Sequence, residues 1–590
     1  MQSLSRFLLF GVLTLLLMAL FACGGDDEEE AVPTTAPAPT SAPAPTSAPA
    51  PTAGPAATAP PAATAAPAST RAPVATPIAV PTATPVGLVI KRGGTLRWMP
   101  QASTPNLDAN HGARTTAQIV AHFYDYPFGW DNTLTSKEQM IESWSMTSDA
   151  LEYTFTLRAG QTFHDGSPVT SEDLMATVER WRHSVSASMP KRLWDLAGEP
   201  AMEKVDNLSF KLKLNKPFGL WINYWAGNPA FVMPKEIAES LEEADINTDY
   251  IGSGPFKFSA WVPGSRVVLE RYDGYNSRTD PKDGAAGERL VHVDTLEYME
   301  VPDPASRLAA LQTKQGDFSE AIPNDFYEVL QDMSGVRVEV VDGWAIPFLA
   351  TNKLHPPLNN PKSRLALVAA TDPEIYLRAA YGPPELWTTC PDLFMCSGQW
   401  PSKVGQEVYE APVDMVLAQQ LWDEAVAETG FEGEMVLLTN TDFADFYAAA
   451  LVTKEILENL GNEVEFFVTD WAGVISRKVG QVETLPAEGG WHFYQSWGEA
   501  WDPIQDSRLG TSWNGGWHNE EGQALIEQFA SAKSPAEAQA IVDELQRIFW
   551  YEDPAVIPYG NFSFLIAMRD DLRGYVPHKR IMLDAVWLDR

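Results

Sequence analysis

The stretch Met140–Leu174, MIESWSMTSDALEYTFTLRAGQTFHDGSPVTSEDL, reads as strand, turn and helix start in succession. Tyr153, Phe155 and Leu157 alternate with Thr154, Thr156 and Arg158. That is the period of a half-buried strand, whose successive side chains point to opposite faces. Asp165-Gly166 supplies a turn, because glycine takes positive φ without a Cβ clash. Thr170 stands three residues before Asp173, the spacing of a capping box. Leu174, Val178 and Trp181 then recur at helical intervals and give the new helix one apolar face. Such strand and helix signals alternate along the rest of the chain, which predicts a mixed α/β architecture.

Outward from this block, the first 88 residues carry a different kind of message. Arg6 precedes an apolar run from Phe7 to Ala22 that ends at Cys23. The run is short for a membrane span, which needs about 20 apolar residues, and it fits the apolar core of a signal peptide. Leu20-Phe21-Ala22-Cys23 resembles a lipobox, in which the Cys is acylated; an ordinary leader with an incidental Cys is the alternative. Residues 1–23 are thus expected to be a lipoprotein signal peptide, with Cys23 the lipidation site. Residues 24–87 hold an acidic cluster, Asp26–Glu30, and then Ala/Pro/Thr-rich sequence. That composition cannot bury a core and favours extended, polyproline-like chain, so it reads as a disordered tether.

Only Cys390 and Cys396 remain, in CPDLFMC. An even pair at short spacing in an exported chain predicts a disulfide closing a small loop. Without a nearby His, the pair makes a poor zinc site. The net charge of −36 speaks for solubility and against nucleic acid as a partner, since nucleic-acid binding needs a basic face. About 500 residues follow the tether, enough for two or three packed units.

Across those residues the wording resembles the family-5 solute-binding proteins, the extracytoplasmic receptors of peptide-type ABC importers. Their shared pattern runs approximately LA-x-SW … DG-x-x-Y-T-F-x-L-R-x-G-x-x-FHDG-x-P-x-T-x-E-D, and the opening stretch matches most of it, with Ala150 where the family turns on Gly. Gly93-Gly94-Thr95-Leu96-Arg97 resembles the first strand, Leu107-Asp108 the "LDP" after it, and His122-Phe123-Tyr124-Asp125 the next helix. Ile251–Phe256 resembles the "GTGPY" turn, and Asp303–Asp317 the helix and turn written RL-x-AL-x-x-GE-x-D. Phe348–Asn352 and Asn360–Asp372 resemble a strand and a helix of the second lobe. Val452, Ile456 and Leu460 form a stripe ended by Gly461, and Val464, Phe466 and Val468 alternate as a strand. Ser534-Pro535 opens the last long helix, with Glu537 completing its box.

The resemblance implies a two-lobed periplasmic-binding-protein fold of type II, in the three-subdomain cluster C form, with a hinge and a ligand cleft between lobes. Lobe I would take 88–133, 246–344 and 556–590, with a subdomain at 134–245; lobe II would span 345–555. The hinge would lie near Gly343–Thr351 and Val556–Phe564. The implied function is capture of a peptide and its delivery to ABC permease and ATPase subunits by a monomeric, lipid-anchored receptor, with no cofactor and no catalysis.

Peptide-binding relatives hold the peptide's α-ammonium with an Asp in a loop written GW-x-x-D-Y-x-DP. The corresponding segment is Ser496–Pro503, where that Asp falls on Ala500; Glu499 and Asp502 are the carboxylates beside it. Twenty Trp residues are a heavy allotment. Those among loop-forming residues, Trp387, Trp497, Trp501 and Trp513, are the cleft candidates, because aromatic faces stack on sugars or on peptide side chains. A core role is the competing reading for each. The candidate ligand residues are therefore Trp387, Trp497, Glu499, Trp501, Asp502 and Trp513. An oligosaccharide ligand is the alternative within the family. His111, His122, His164, His355, His492 and His518 are not spaced as a metal pair, and no metal is expected. A secreted glycoside hydrolase would need a carboxylate pair such as Glu499 and Asp502, but with 78 acidic residues some such pair is inevitable.

Overall fold

A computed structural model describes residues 89–590 apart from 102, 103, 105, 109–113, 184–187, 228–230, 241–249, 512 and 514. The leader with Cys23, the tether and His111 lie outside the described residues. Among the described residues no helix is long and apolar enough to cross a membrane.

The opening stretch forms strands Ile141–Met146 and Glu152–Leu157 and the helix Ser171–Arg182. Tyr153, Phe155 and Leu157 are buried, and their neighbours half-buried. With Ser209–Lys213 and Ala201–Lys204 the two strands make a four-stranded antiparallel sheet. Ala150, in the turn between the first two strands, is held at φ 57°, the left-handed region where a Cβ is unfavourable. Asp173 accepts from the Thr170 backbone N–H at 2.8 Å and from its hydroxyl at 2.6 Å.

His164 ties this unit to the rest of the first lobe. Its backbone N–H donates to Gly252 O, its Nδ1 accepts from Gly252 N at 3.2 Å, and its Nε2 lies 3.0 Å from Gly254 O. With Nδ1 accepting, the proton sits on Nε2. A Cβ on Gly252 would lie 2.0 Å from Phe123 O, so three separate sequence motifs meet at a point only glycine can occupy.

A twelve-stranded mixed sheet runs through both lobes. In the first, Thr95–Met99 lies parallel between Thr295–Met299 and Phe318–Ile322. In the second, Met435–Asn440 lies parallel between Val464–Thr469 and Phe493–Gly498. Two long antiparallel segments join the halves. Val336–Thr351 pairs with Asn561–Arg569 in its first half and with Phe493–Gly498 in its second. The register shifts between Val341 and Ala345, around Gly343 at φ 59°. Bulges of this kind bend the strand that carries them.

Lobe II departs from expectation in two places. The helix Ala444–Asn459 buries Phe446, Ala449, Ala450, Thr453 and Leu457 most deeply; of the Val452/Ile456/Leu460 stripe, Leu460 is buried and Val452 and Ile456 are half-buried against the same core. Small residues let it approach closely, and Thr453 Oγ1 meets Tyr376 OH at 2.9 Å and accepts from Gln495 Nε2 at 2.8 Å. Val464–Thr469 is the edge strand, so Val464 and Phe466 are only half-buried and Val468 is exposed. The last helix, Pro535–Tyr551, starts on Ser534, whose hydroxyl accepts from Glu537 N. One continuous core contains Phe155, Trp181 and Trp225 of the four-stranded unit together with Phe348, Tyr494, Phe529 and Leu545 of lobe II. Where they meet, Gly219 N donates to Ala530 O at 3.0 Å.

Candidate ligand cleft between the lobes

In open α/β sheets, ligands bind beyond the carboxyl ends of the parallel strands, where loops project and backbone groups are free to turn. In lobe II the strand Phe493–Gly498 ends in such a loop, and Trp497, Glu499, Trp501 and Asp502 all lie on or just after it. Trp497 sits opposite Pro347 in the ladder, half-buried, with its ring 6.0 Å from Phe562 of the other crossing segment. Glu499 is exposed. Ala500 is buried, and its carbonyl accepts from Met395 N at 2.8 Å.

Trp501 is packed between the lobes. Trp130 lies 5.1 Å from it, centroid to centroid, and Lys579 Nζ stands 5.2 Å from its ring. Asp502 is buried, and its Oδ1 accepts from Ile504 N and Gln505 N, both at 2.8 Å. Burial pushes its carboxyl up to about 6, against which the two backbone donors, the facing Tyr224 hydroxyl and Arg192 pull it down. Burial, and after it the neighbouring Asp502, raise Tyr224 well above the ordinary phenol range. Trp130, Asn223, Gln399, Trp400, Trp501 and Asp502 line a void of about 20 Å³, room for roughly one water.

The next carboxylate on the loop is committed as well. Asp506 accepts from Arg508 N at 2.9 Å and pairs with its guanidinium through Nε and Nη2, each at 2.8 Å. Arg508 also donates to Leu393 O at 2.6 Å and lies 5.1 Å from the Phe348 ring. Leu393 belongs to the loop closed by the Cys390–Cys396 disulfide. The residues just beyond that loop reach the other lobe: Gln399 donates to Leu134 O, and Ser397 lies 3.5 Å from Gly343 O.

Trp513 lies to one side, 6.0 Å from Phe348 and 6.2 Å from Tyr494. Trp387 stands apart from this group. It pairs with Phe562, its indole N–H donates to Gly382 O at 3.0 Å, and it is buried in the core of the lobe II helices. Trp130, Asn223, Tyr224 and Arg192 escape sequence reading because they come from the first lobe, hundreds of residues from Trp501. Trp130 precedes the loop Asp131-Asn132-Thr133, so the criterion that picked out loop Trp residues would have found it. His122 serves structure: its Nδ1 meets Gln118 O, and its Nε2 accepts from Leu583 N.

The family model for bacterial extracellular solute-binding proteins, family 5, matches residues 135–520. A probable peptide ABC transporter periplasmic-binding protein, y4tO of Sinorhizobium fredii, is 30% identical over 491 residues, covering 80% of this chain and 90% of that one. The glutathione-binding protein GsiB of Shigella flexneri is 25% identical, covering 80% and 89%. Among solved structures, the oligopeptide-binding protein AppA of Bacillus subtilis, in complex with a nonapeptide, superposes with a TM-score of 0.66 at 19% identity, covering 85% of this chain and 100% of that one. Each of these relatives is named as a binding protein, and the first as a periplasmic one. With a two-lobed fold, a loop-built seam between lobes and a family match over most of the folded residues, the chain belongs to the family-5 bacterial extracellular solute-binding proteins.

Proposed function

We propose that this protein is the substrate-binding subunit of an ABC importer, that it captures short peptides between its lobes, and that it hands them to a membrane permease. The observation that carries this reading is the seam itself. Aromatic and amide side chains from both lobes, Trp130 and Asn223 from one and Gln399, Trp400 and Trp501 from the other, converge beyond the carboxyl end of a parallel strand. Aromatic walls with a few amides suit a ligand that is read through its backbone and apolar side chains. The named relatives, a probable peptide receptor, a glutathione receptor and a nonapeptide receptor, support the same class.

In this reading the segments 88–133, 246–344 and 556–590 move as one lobe with 134–245, and 345–555 as the other. The bulge at Gly343 and the turn at Gly560, at φ 130°, are the pivots. A ligand drives closure only by its differential affinity for the closed form. The acylated Cys23 and the tether 24–87 hold the monomer at the outer membrane face.

The test is thermal stability of the purified protein against short peptides. A peptide present at 100 times its Kd should add about 2.7 kcal/mol. If peptides leave the melting temperature unmoved while cello- or xylo-oligosaccharides raise it, the ligand class is sugar instead. Cys23→Ala should move the protein from the membrane fraction to the soluble one; retention on the membrane would refute the anchor.

A further inference from the structure

The pivot at Gly343 and the seam at Trp501 share one side chain. Lys579, in the segment after the second crossing strand, donates through Nζ to Gly343 O, and the same Nζ stands 5.2 Å from the Trp501 ring. Ser397 Oγ reaches the Gly343 carbonyl as well, at 3.5 Å, from just beyond the disulfide-closed loop. Gly343 itself sits at φ 59° inside the register shift between Val341 and Ala345.

Lobe I fixes where this ammonium stands. The neighbouring His578 is buried, and its Nδ1 accepts from Arg580 N at 3.1 Å. The proton therefore sits on Nε2, which donates to Asp131 O at 3.2 Å. Asp131 follows Trp130, whose ring lies 5.1 Å from that of Trp501. On the other side of Lys579, the Arg580 guanidinium lies over Tyr126 at 5.1 Å and Phe231 at 5.5 Å. The backbone of Lys579 is thus held from both sides by lobe I, while its ammonium lies against a ring of lobe II.

The two contacts of the ammonium respond differently when the lobes part. Gly343 lies at the pivot, so its carbonyl stays within reach. Trp501 belongs to the loop after Phe493–Gly498 and travels with lobe II. As that ring leaves, water takes its place at the ammonium. A cation over an indole is worth more where water is scarce than in open solvent. The Lys579–Trp501 contact therefore belongs to the closed form, and an interaction made in only one of two states shifts the balance toward that state.

We infer that Lys579 is a positioning residue that latches the closed form: bonded to the pivot carbonyl, it holds Trp501, and through it lobe II, against lobe I. The inference rests on the lobe movement of the proposed function and not on the class of ligand. The ligand need not touch Lys579, because what this residue sets is the lifetime of the closed complex.

Stopped-flow binding of tetra-alanine decides this. Lys579→Met keeps the stem and loses the charge; it should speed dissociation about 10-fold, the ratio expected for loss of a desolvated cation–π contact. Association should change by less than about 2-fold, since the ligand meets the open form. Lys579→Arg should stay near the wild type. Lys579→Gln keeps a donor for Gly343 O but puts no charge over the ring, and should resemble Lys579→Met. In a Trp501→Leu background, Lys579→Met should add nothing further. An unchanged off-rate in Lys579→Met and Lys579→Gln, a loss confined to the on-rate, or an effect that persists in full without Trp501 overturns the inference and leaves the peptide reading standing. If tetra-alanine does not bind the wild type, the peptide reading fails and the latch is read without ligand. Spin labels on Val205→Cys and Val416→Cys, exposed positions of the two lobes, then report the interlobe distance in Cys23→Ala protein. Lys579→Met should lengthen that distance, and an unchanged distribution overturns the latch.

Discussion

Asp502→Asn separates a structural carboxylate from a ligand-binding one. In the folded protein burial raises the Asp502 carboxyl from 3.8 to about 6. A raised carboxylate contributes stability only while protonated. That contribution is complete below the unfolded value near 4 and is lost as pH rises through about 6. At pH 8 the wild type therefore carries the full cost of a buried charge, at most about 3 kcal/mol. Asparagine keeps Oδ1 for the Ile504 and Gln505 amides and turns its NH₂ toward the Tyr224 hydroxyl. Arg192 loses a compensating charge but keeps Asp506 O at 3.4 Å, so the net gain should be about 1–3 kcal/mol. Urea unfolding should show that gain at pH 8 and little of it at pH 4. Peptide affinity should change by less than about threefold, because no ligand charge is lost; a ligand ammonium paired with Asp502 would instead cost about 2–5 kcal/mol. A lower midpoint at pH 8, or loss of peptide binding in a folded variant, would refute this assignment.

Replacing Cys390 and Cys396 together by Ser opens a loop with a sequence separation of only 6. The chain-entropy contribution of so short a loop is about 2 kcal/mol, read as a lower urea midpoint. The peptide off-rate should also rise, since Ser397 and Gln399 just beyond the loop touch the other lobe. His164 is held neutral, at about 4, by burial. Its stabilisation is complete above the ordinary 6.5 and is lost as pH falls toward 4. The stability advantage of the wild type over His164→Ala should therefore shrink by about 3 kcal/mol between pH 7 and pH 4; a constant difference would contradict the neutral assignment. Gly343→Ala places a Cβ 3.0 Å from Ser397 Oγ at φ 59° and should cost about 1–2 kcal/mol in denaturant melts, with an unchanged cost refuting the strain.

The fold was legible because its signals are local and mutually consistent. Alternation at Tyr153–Leu157, the Asp165-Gly166 turn and the Thr170–Asp173 cap lie within about twenty residues, and each is enforced by backbone geometry alone. Where neighbours rather than periodicity decide burial, the reading slipped. Val464, Phe466 and Val468 alternate as a strand should, but the edge of a sheet has no second layer to cover them. The Ala444–Asn459 helix sinks its small residues deeper than its Val452/Ile456 stripe, and Tyr376 and Gln495 offer Thr453 hydrogen bonds that no sequence pattern announces. The seam was harder still. Trp130 against Trp501, and Arg192 against Asp506, join positions that only the completed fold brings together.

Two alanines stand where the family pattern has another residue, and their physical consequences differ. Ala150 keeps the turn that glycine would make and accepts left-handed strain for it, so the departure changes local energy and leaves chemistry alone. Ala500 changes chemistry. Its side chain is buried, its carbonyl is taken by Met395 N, and the disulfide-closed loop covers it. A carboxylate there would be desolvated beside Asp502, which already has difficulty keeping its own charge. The carboxylates that remain buried on this loop, Asp502 and Asp506, are bound to backbone amides and to Arg508.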